Sequence, residues 1–223
     1  MNKVLKVFRY QFNEALVAIA IFYLSLLFVT VFLSMFDGSS SGFEFASAIF
    51  VFVVGLNSFK SSFRFLQFLG VTRRTFFAGS LLALVTVAAG MTLVDILIGK
   101  LFAQLYPYTT LFAEAYGQGN LLAQFVWETV LLTMFAYIGF FITILYYRCS
   151  RILKIVISLS PVYVSILLNL VQPPMEQITR ILAFLGGFRM GAGVWGNILG
   201  MLVTVAAATG LCFLLIRRAP IKG

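Results

Sequence analysis

The sequence predicts an all-α, polytopic integral membrane protein: six transmembrane helices, an N-terminal amphipathic elbow helix, and both termini in the cytoplasm. Three observations predict it. The chain of 223 residues is 61% hydrophobic and 10% charged, where soluble domains are about 45–50% apolar and about 25% charged. Lipid, not water, must therefore surround most of it. Six apolar stretches, each near the roughly 20 residues that cross a bilayer, use up nearly the whole chain. The basic residues then gather on one side of a six-span arrangement.

The six spans are expected at 15–36, 45–66, 76–98, 122–147, 152–171 and 194–216, within a single transmembrane domain, 1–223. Lys3, Lys6 and Arg9 resemble the charged region of a secretory signal. The apolar run at 15–35 is too long for the roughly 7–15 residues of a signal core, and no small-residue cleavage site closes it. It is expected to remain as the first span. The second stretch, 45–59, is short alone and is expected to continue as helix past Lys60 towards Leu66, with the lysine snorkelling to the headgroups. Asn57 here and Asn169 in the fifth span are expected to join helices by hydrogen bonds. In the third and sixth spans the small residues Ala88, Ala89 and Gly90, and Ala206, Ala207, Ala208 and Gly210, permit close packing. Pro161 is expected to kink the fifth span, and Pro173 with Pro174 to stop it. Beyond them Ile178, Ile181, Leu182 and Leu185 recur at helical spacing, as in a short amphipathic helix at the interface. The runs lack the period-two alternation of a membrane barrel.

Charge placement orients this plan. Lys3, Lys6 and Arg9, then Lys60, Arg64, Arg73 and Arg74, then Arg148, Arg151 and Lys154, and finally Arg217, Arg218 and Lys222 share one side. The opposite side holds Lys100, Arg180 and Arg189. The positive-inside rule makes the first side cytoplasmic. Asp37, Glu44, Asp95, Glu114, Glu128 and Glu176 fall at or near the other, and Trp127 and Trp195 fall at its boundary, where aromatic anchors belong. Asp95 and Glu128 lie at shallow depth, as interface anchors or as functional carboxylates. Cys149 and Cys212 lie near cytoplasmic span ends, so a structural disulfide is not expected.

Two cytoplasmic features carry the functional reading. In the elbow, 1–14, Val4, Leu5, Phe8 and Phe12 recur every three or four residues, while Lys3, Lys6 and Arg9 face elsewhere. This describes an amphipathic helix on the leaflet, either a topology anchor or a brace for a partner. In the connection 60–75, a helix is expected to run to Leu69 and to end on Gly70 in the left-handed conformation. Thr72 is expected to N-cap the next helix. Arg73 and Arg74 then sit at the positive end of that helix, costing about 0.3–1 kcal/mol each. Anionic headgroups or acidic groups on a partner would offset this.

The string LGVTRRTFFAG at 69–79 resembles a stretch found between spans two and three of small bacterial ABC-transporter permeases of the type-2 exporter class. The elbow, the six spans, the cytoplasmic termini and an interfacial element before the last span match the same plan across the whole chain. The resemblance implies a permease subunit of an ATP-driven exporter in the bacterial cytoplasmic membrane. It would form the pathway with a second copy or a paralogue. Its coupling segment, with Leu69, Gly70, Val71, Thr72, Arg73, Arg74, Phe76 and Phe77, would seat in two copies of an ATP-binding subunit. ATP and Mg would bind there, not here: Gly99 and Lys100 are followed by Leu101 and lack the phosphate-binding pattern. Glu14 and Ala15 are too isolated for the EAA loop of import-type permeases. A secondary carrier or channel, or a non-transporting immunity or scaffold protein, is the alternative. The sequence has no histidine, which excludes His-ligated metals and His bases, and no catalytic constellation assembles. No enzyme activity, metal site or nucleic-acid partner is expected.

Overall fold

Neither glycine nor proline interrupts positions 3–37, and they form one helix, α1 (Lys3–Asp37). The computed structural model describes residues 3–37, 40–41, 43–105, 108–117, 120–149 and 193–217. The span expected at 152–171, with Pro161 and Asn169, and the segment 172–192 lie outside the described residues. At 1.5 Å per residue the 35 residues of α1 reach about 52 Å. The expected elbow is thus not a separate helix; elbow and first span are one rod.

The other helices are α2 (Phe43–Asn57), α3 (Lys60–Phe68), α4 (Arg73–Leu105), α5 (Leu111–Tyr116), α6 (Leu121–Arg148) and α7 (Val194–Arg217). The described residues are otherwise helical except for connections and one short parallel pairing, β1 (Ser40–Ser41) with β2 (Tyr108–Thr109), Ser40 opposite Tyr108. Four helical segments are long and apolar enough to cross a membrane: Lys3–Phe32, Arg73–Gln104, Leu121–Tyr147 and Val194–Arg217. Glu44–Asn57 is apolar but shorter.

The stretch expected as one span at 45–66 is two helices, α2 and α3, separated at Ser58 and Phe59. Two side chains bond back to carbonyls of the last α2 turn. The Ser58 hydroxyl donates to the Val54 carbonyl at 2.6 Å, and the Asn57 amide donates to the Val53 carbonyl at 3.0 Å. Asn57 therefore bonds back to its own helix and joins no other among the described residues. Gln11 of α1 donates to the Ser58 carbonyl at 3.2 Å, satisfying an acceptor exposed by the break. Phe59 fills the corner, packed against Phe63, Phe76, Phe140 and Tyr147 with ring centroids 4.7–5.9 Å apart.

Helix α6 is central, packing against α2, α7 and α4, while α1 lies mainly along α4. The α2–α6 contact is a backbone approach. A Cβ on Gly55 would collide with the Ala136 carbonyl, and one on Gly139 with the Phe52 carbonyl. The Thr143 hydroxyl closes the seam by donating to the Leu56 carbonyl at 2.6 Å. The small residues singled out by sequence behave differently. Ala88 is buried in the core, but Ala206, Ala207 and Gly210 face outward, and a Cβ at Gly90 or Gly210 would meet nothing. Trp195 is exposed at the start of α7, whereas Trp127 is wholly buried beside Phe112 and Tyr116. Trp127 is thus a core residue, not a boundary anchor. Cys149 and Cys212 are both free and buried.

Candidate functional site

The bundle has two chemically distinct ends. One carries the α3–α4 turn with the end of α7; the other carries a group of buried carboxyls.

At the first end the chain turns as its residues dictate. Gly70 has φ +73°, a conformation that favours glycine. Its N–H donates to the Gln67 carbonyl at 3.0 Å, and the Val71 N–H donates to the Leu66 carbonyl at 3.1 Å. This is the two-bond Schellman ending, with Val71 and Leu66 in the same apolar cluster. Thr72 then caps α4. Its hydroxyl accepts from the Thr75 N–H at 3.3 Å, and its carbonyl from the Phe76 N–H at 2.9 Å. Phe76 and Phe77 are buried and anchor the start of α4, while Leu69, Gly70, Thr72 and Arg74 are exposed. The offset for Arg73 is internal: its guanidinium Nη1 donates to the Arg217 carbonyl at 3.1 Å. A cation at the positive end of α4 thereby meets the negative end of α7. A cleft of about 450 Å³ lies between Thr72, Arg73, Arg74, Phe213, Ile216 and Arg217.

The N-terminal part of α1 packs beside this turn. Its buried face is not the one the apolar spacing marks. Val7 and Gln11 point inward, with Val7 against Gly79, whereas Phe8 and Phe12 are half-buried and stack on each other at 5.7 Å. Lys3, Lys6 and Arg9 are exposed. Tyr10 stacks on Phe65 at 5.5 Å, and Ser62 donates to Glu14 at 3.3 Å. Side chains of Lys60, Arg64 and Arg148 lie outside the described set.

At the other end, Glu44 of α2, Asp95 of α4 and Glu128 of α6 are all buried, Asp95 at 4% exposure and Glu128 at 1%. Asp95 and Glu128 are not interface anchors: the helices enclose them. The Tyr23 hydroxyl donates to Asp95 Oδ1 at 2.8 Å and also lies 3.0 Å from the Met91 carbonyl oxygen. Ser47 donates to the same Oδ1 at 3.0 Å. The Asp95 and Glu128 carboxyls interact directly. Asp95 Oδ2, Glu128 Oε1 and the nearby Thr92 Oγ1 have no hydrogen-bond donor or acceptor among the described residues. One turn beyond Asp95 and Glu128 along their helices, Gly99 and Gln124 line a cleft of about 450 Å³. Lys100, Thr110, Ala113 and Glu114 also form part of its wall.

No known protein family matches the chain, and no curated protein or solved structure proves similar to it. Function therefore rests on these two ends. Among the described residues, no group of three His, Cys, Asp or Glu is placed to hold a metal ion. The sequence-predicted segment is assembled as one turn, with α1 beside it. The carboxyl group was legible only in part: Asp95 and Glu128 stand out inside apolar runs, but nothing in the sequence pairs them with Tyr23 or Ser47.

Proposed function

We propose that this chain is the transmembrane permease subunit of an ATP-driven exporter of the type-2 class, coupled to a separate ATP-binding subunit. The observation that carries the reading is the turn at 69–74. It is rigidly capped on both sides, backed by buried Phe76 and Phe77, and exposes Leu69, Gly70, Thr72 and Arg74 at a helical end of the bundle. A built, exposed turn between membrane helices suits a surface that receives force from a partner. The resemblance of 69–79 to the permease stretch supplies the kind of partner. On this reading the turn, Lys3, Lys6, Arg9 and both termini face the cytoplasm of a bacterial cell. ATP and Mg bind to the two partner subunits, and a second copy or a paralogue completes the pathway.

The deciding experiment is co-purification with a separate ATP-binding subunit, sought first in the adjacent open reading frame. Wild-type protein is expected to retain it. Arg73→Glu with Arg74→Glu is expected to release it while leaving the helical fold and detergent solubility unchanged. Retention by this double variant rejects the docking assignment. Nucleotide-independent transport by the purified chain would instead favour a carrier or channel, a reading that the buried Asp95 and Glu128 favour over an inert immunity or scaffold protein.

A further inference from the structure

A carboxylate in a low-dielectric interior needs donors or a cation. Asp95 has two donors, Tyr23 and Ser47, but both converge on Oδ1. Among the described residues its second oxygen, Oδ2, has none, and neither has Glu128 Oε1, although the two carboxyls are in contact. If both groups were ionised, two buried negative charges would lie in contact. The titratable neighbours worsen this. Among the described residues, Tyr23 from α1 and Glu44 from α2 are the other titratable groups acting on the pair, and neither is a cation. Like charges at such distances do not both ionise. One proton placed on either carboxyl removes a charge and lets the contact between them become a hydrogen bond.

We propose that Asp95 and Glu128 form a proton-binding pair, oriented by Tyr23 and Ser47, that exchanges its proton through the cleft above Gly99 and Gln124. The cleft supplies the route. Gly99 is four residues beyond Asp95 on α4, and Gln124 four residues before Glu128 on α6, so each lies on the same helical face, about 6 Å further along the helix axis. Among the described residues, Lys100 and Glu114 are the charged groups that line the cleft. The site is independent of the docking turn and stands or falls separately from it.

Infrared spectroscopy of the purified full-length protein in lipid nanodiscs tests this. A protonated-carboxyl C=O band is expected near neutral pH and should fade as pH is raised. The band should survive in Glu44→Gln, titrate at a changed midpoint in Glu128→Gln, and be lost in the double variant Asp95→Asn with Glu128→Gln. No band in the wild type at any pH, or a band that never titrates, overturns the proposal. Should the double variant fail to fold, a hydrophobic carbodiimide gives the same answer on the wild type. Its adduct is expected on Asp95 or Glu128 near neutral pH and should diminish at alkaline pH; labelling elsewhere only rejects the pair. Filling the cleft by Ala113→Trp is expected to slow deuterium exchange into the carboxyl band. Unchanged exchange rejects the cleft as the route.

Discussion

Arg73 Nη1 lies 3.1 Å from the carbonyl oxygen of Arg217, so the first residue of α4 is fastened to the last residue of α7 across 144 positions of sequence. The contact ties the exposed turn to the last described helix, and it reconciles a cation with the wrong helix end.

Its stability effect should nonetheless be small. The bond is exposed, and a net hydrogen bond contributes about 0.5–1.5 kcal/mol. Removing the cation from the α4 N-terminus returns about 0.3–1 kcal/mol. Arg73→Ala is therefore expected to shift thermal unfolding in detergent by little. The same variant should raise amide exchange in the last turn of α7. A large loss of melting temperature would show that the clasp is a structural keystone.

The glycine that ends α3 should tolerate little. With φ at +73°, a side chain costs roughly 1–2 kcal/mol at Gly70. Gly70→Val is expected to lower the melting temperature clearly, and Gly70→Asn less, because asparagine visits this region more readily. Equal effects would mean the turn rearranges.

Thr72→Ala removes the α4 cap and is expected to cost about 0.5–2 kcal/mol, with Thr72→Ser or Thr72→Asp retaining most of it. Hydrogen exchange at the Thr75 amide reads this directly. Exchange that stays slow in Thr72→Ala would show that the hydroxyl contributes nothing.

The α2–α6 seam predicts intolerance of added volume. A Cβ at Gly139 meets backbone, not a flexible side chain. Gly139→Ala should cost about 1–3 kcal/mol, as overpacking does, and Gly139→Val more. By contrast Gly90→Ala and Gly210→Ala, where a Cβ meets nothing, should be neutral or slightly stabilising. Comparative melting of the three alanine variants separates seam from surface.

Tyr23→Phe leaves Asp95 Oδ1 with Ser47 as its one donor among the described residues. The loss of a buried partner is expected to cost about 1–3 kcal/mol. Ser25→Ala, on an exposed bond within the same helix, should cost much less. Thermal unfolding of the two side by side tests whether the hydroxyl is structural.

Local rules read this chain well where the decision is local. Gly70 and Thr72 end one helix and start the next because single-residue backbone freedom and a single hydroxyl settle those boundaries. Facing is another matter. Rise per residue gave Asp95 and Glu128 a depth along their helices, but inward or outward orientation depends on which helices flank them, and that depends on α1 and α2. Trp127 shows the same limit: its place in the sequence suits a boundary anchor, yet Phe112 and Tyr116 enclose it. The α2–α3 break is not marked in the sequence, because no glycine or proline stands at Asn57, Ser58 or Phe59. Likewise Val7 and Gln11, not the more apolar Phe8 and Phe12, face inward, because Gly79 leaves room for a side chain there.

The continuity of α1 has a mechanical consequence. One end of this rod packs Val7 and Gln11 beside the exposed turn, and its middle carries the Tyr23 hydroxyl to Asp95, about 24 Å further along by helix rise. No internal hinge absorbs a displacement. A few degrees of rotation, or an ångström of axial slip, imposed at the basic end must arrive at Tyr23 nearly undiminished. At 2.8 Å its hydroxyl has little slack before it lets go of Asp95. The continuity of α1 predicts that the two ends of this helix move together. Spin labels near Arg9 and Phe32 should keep a fixed separation while both move against α6.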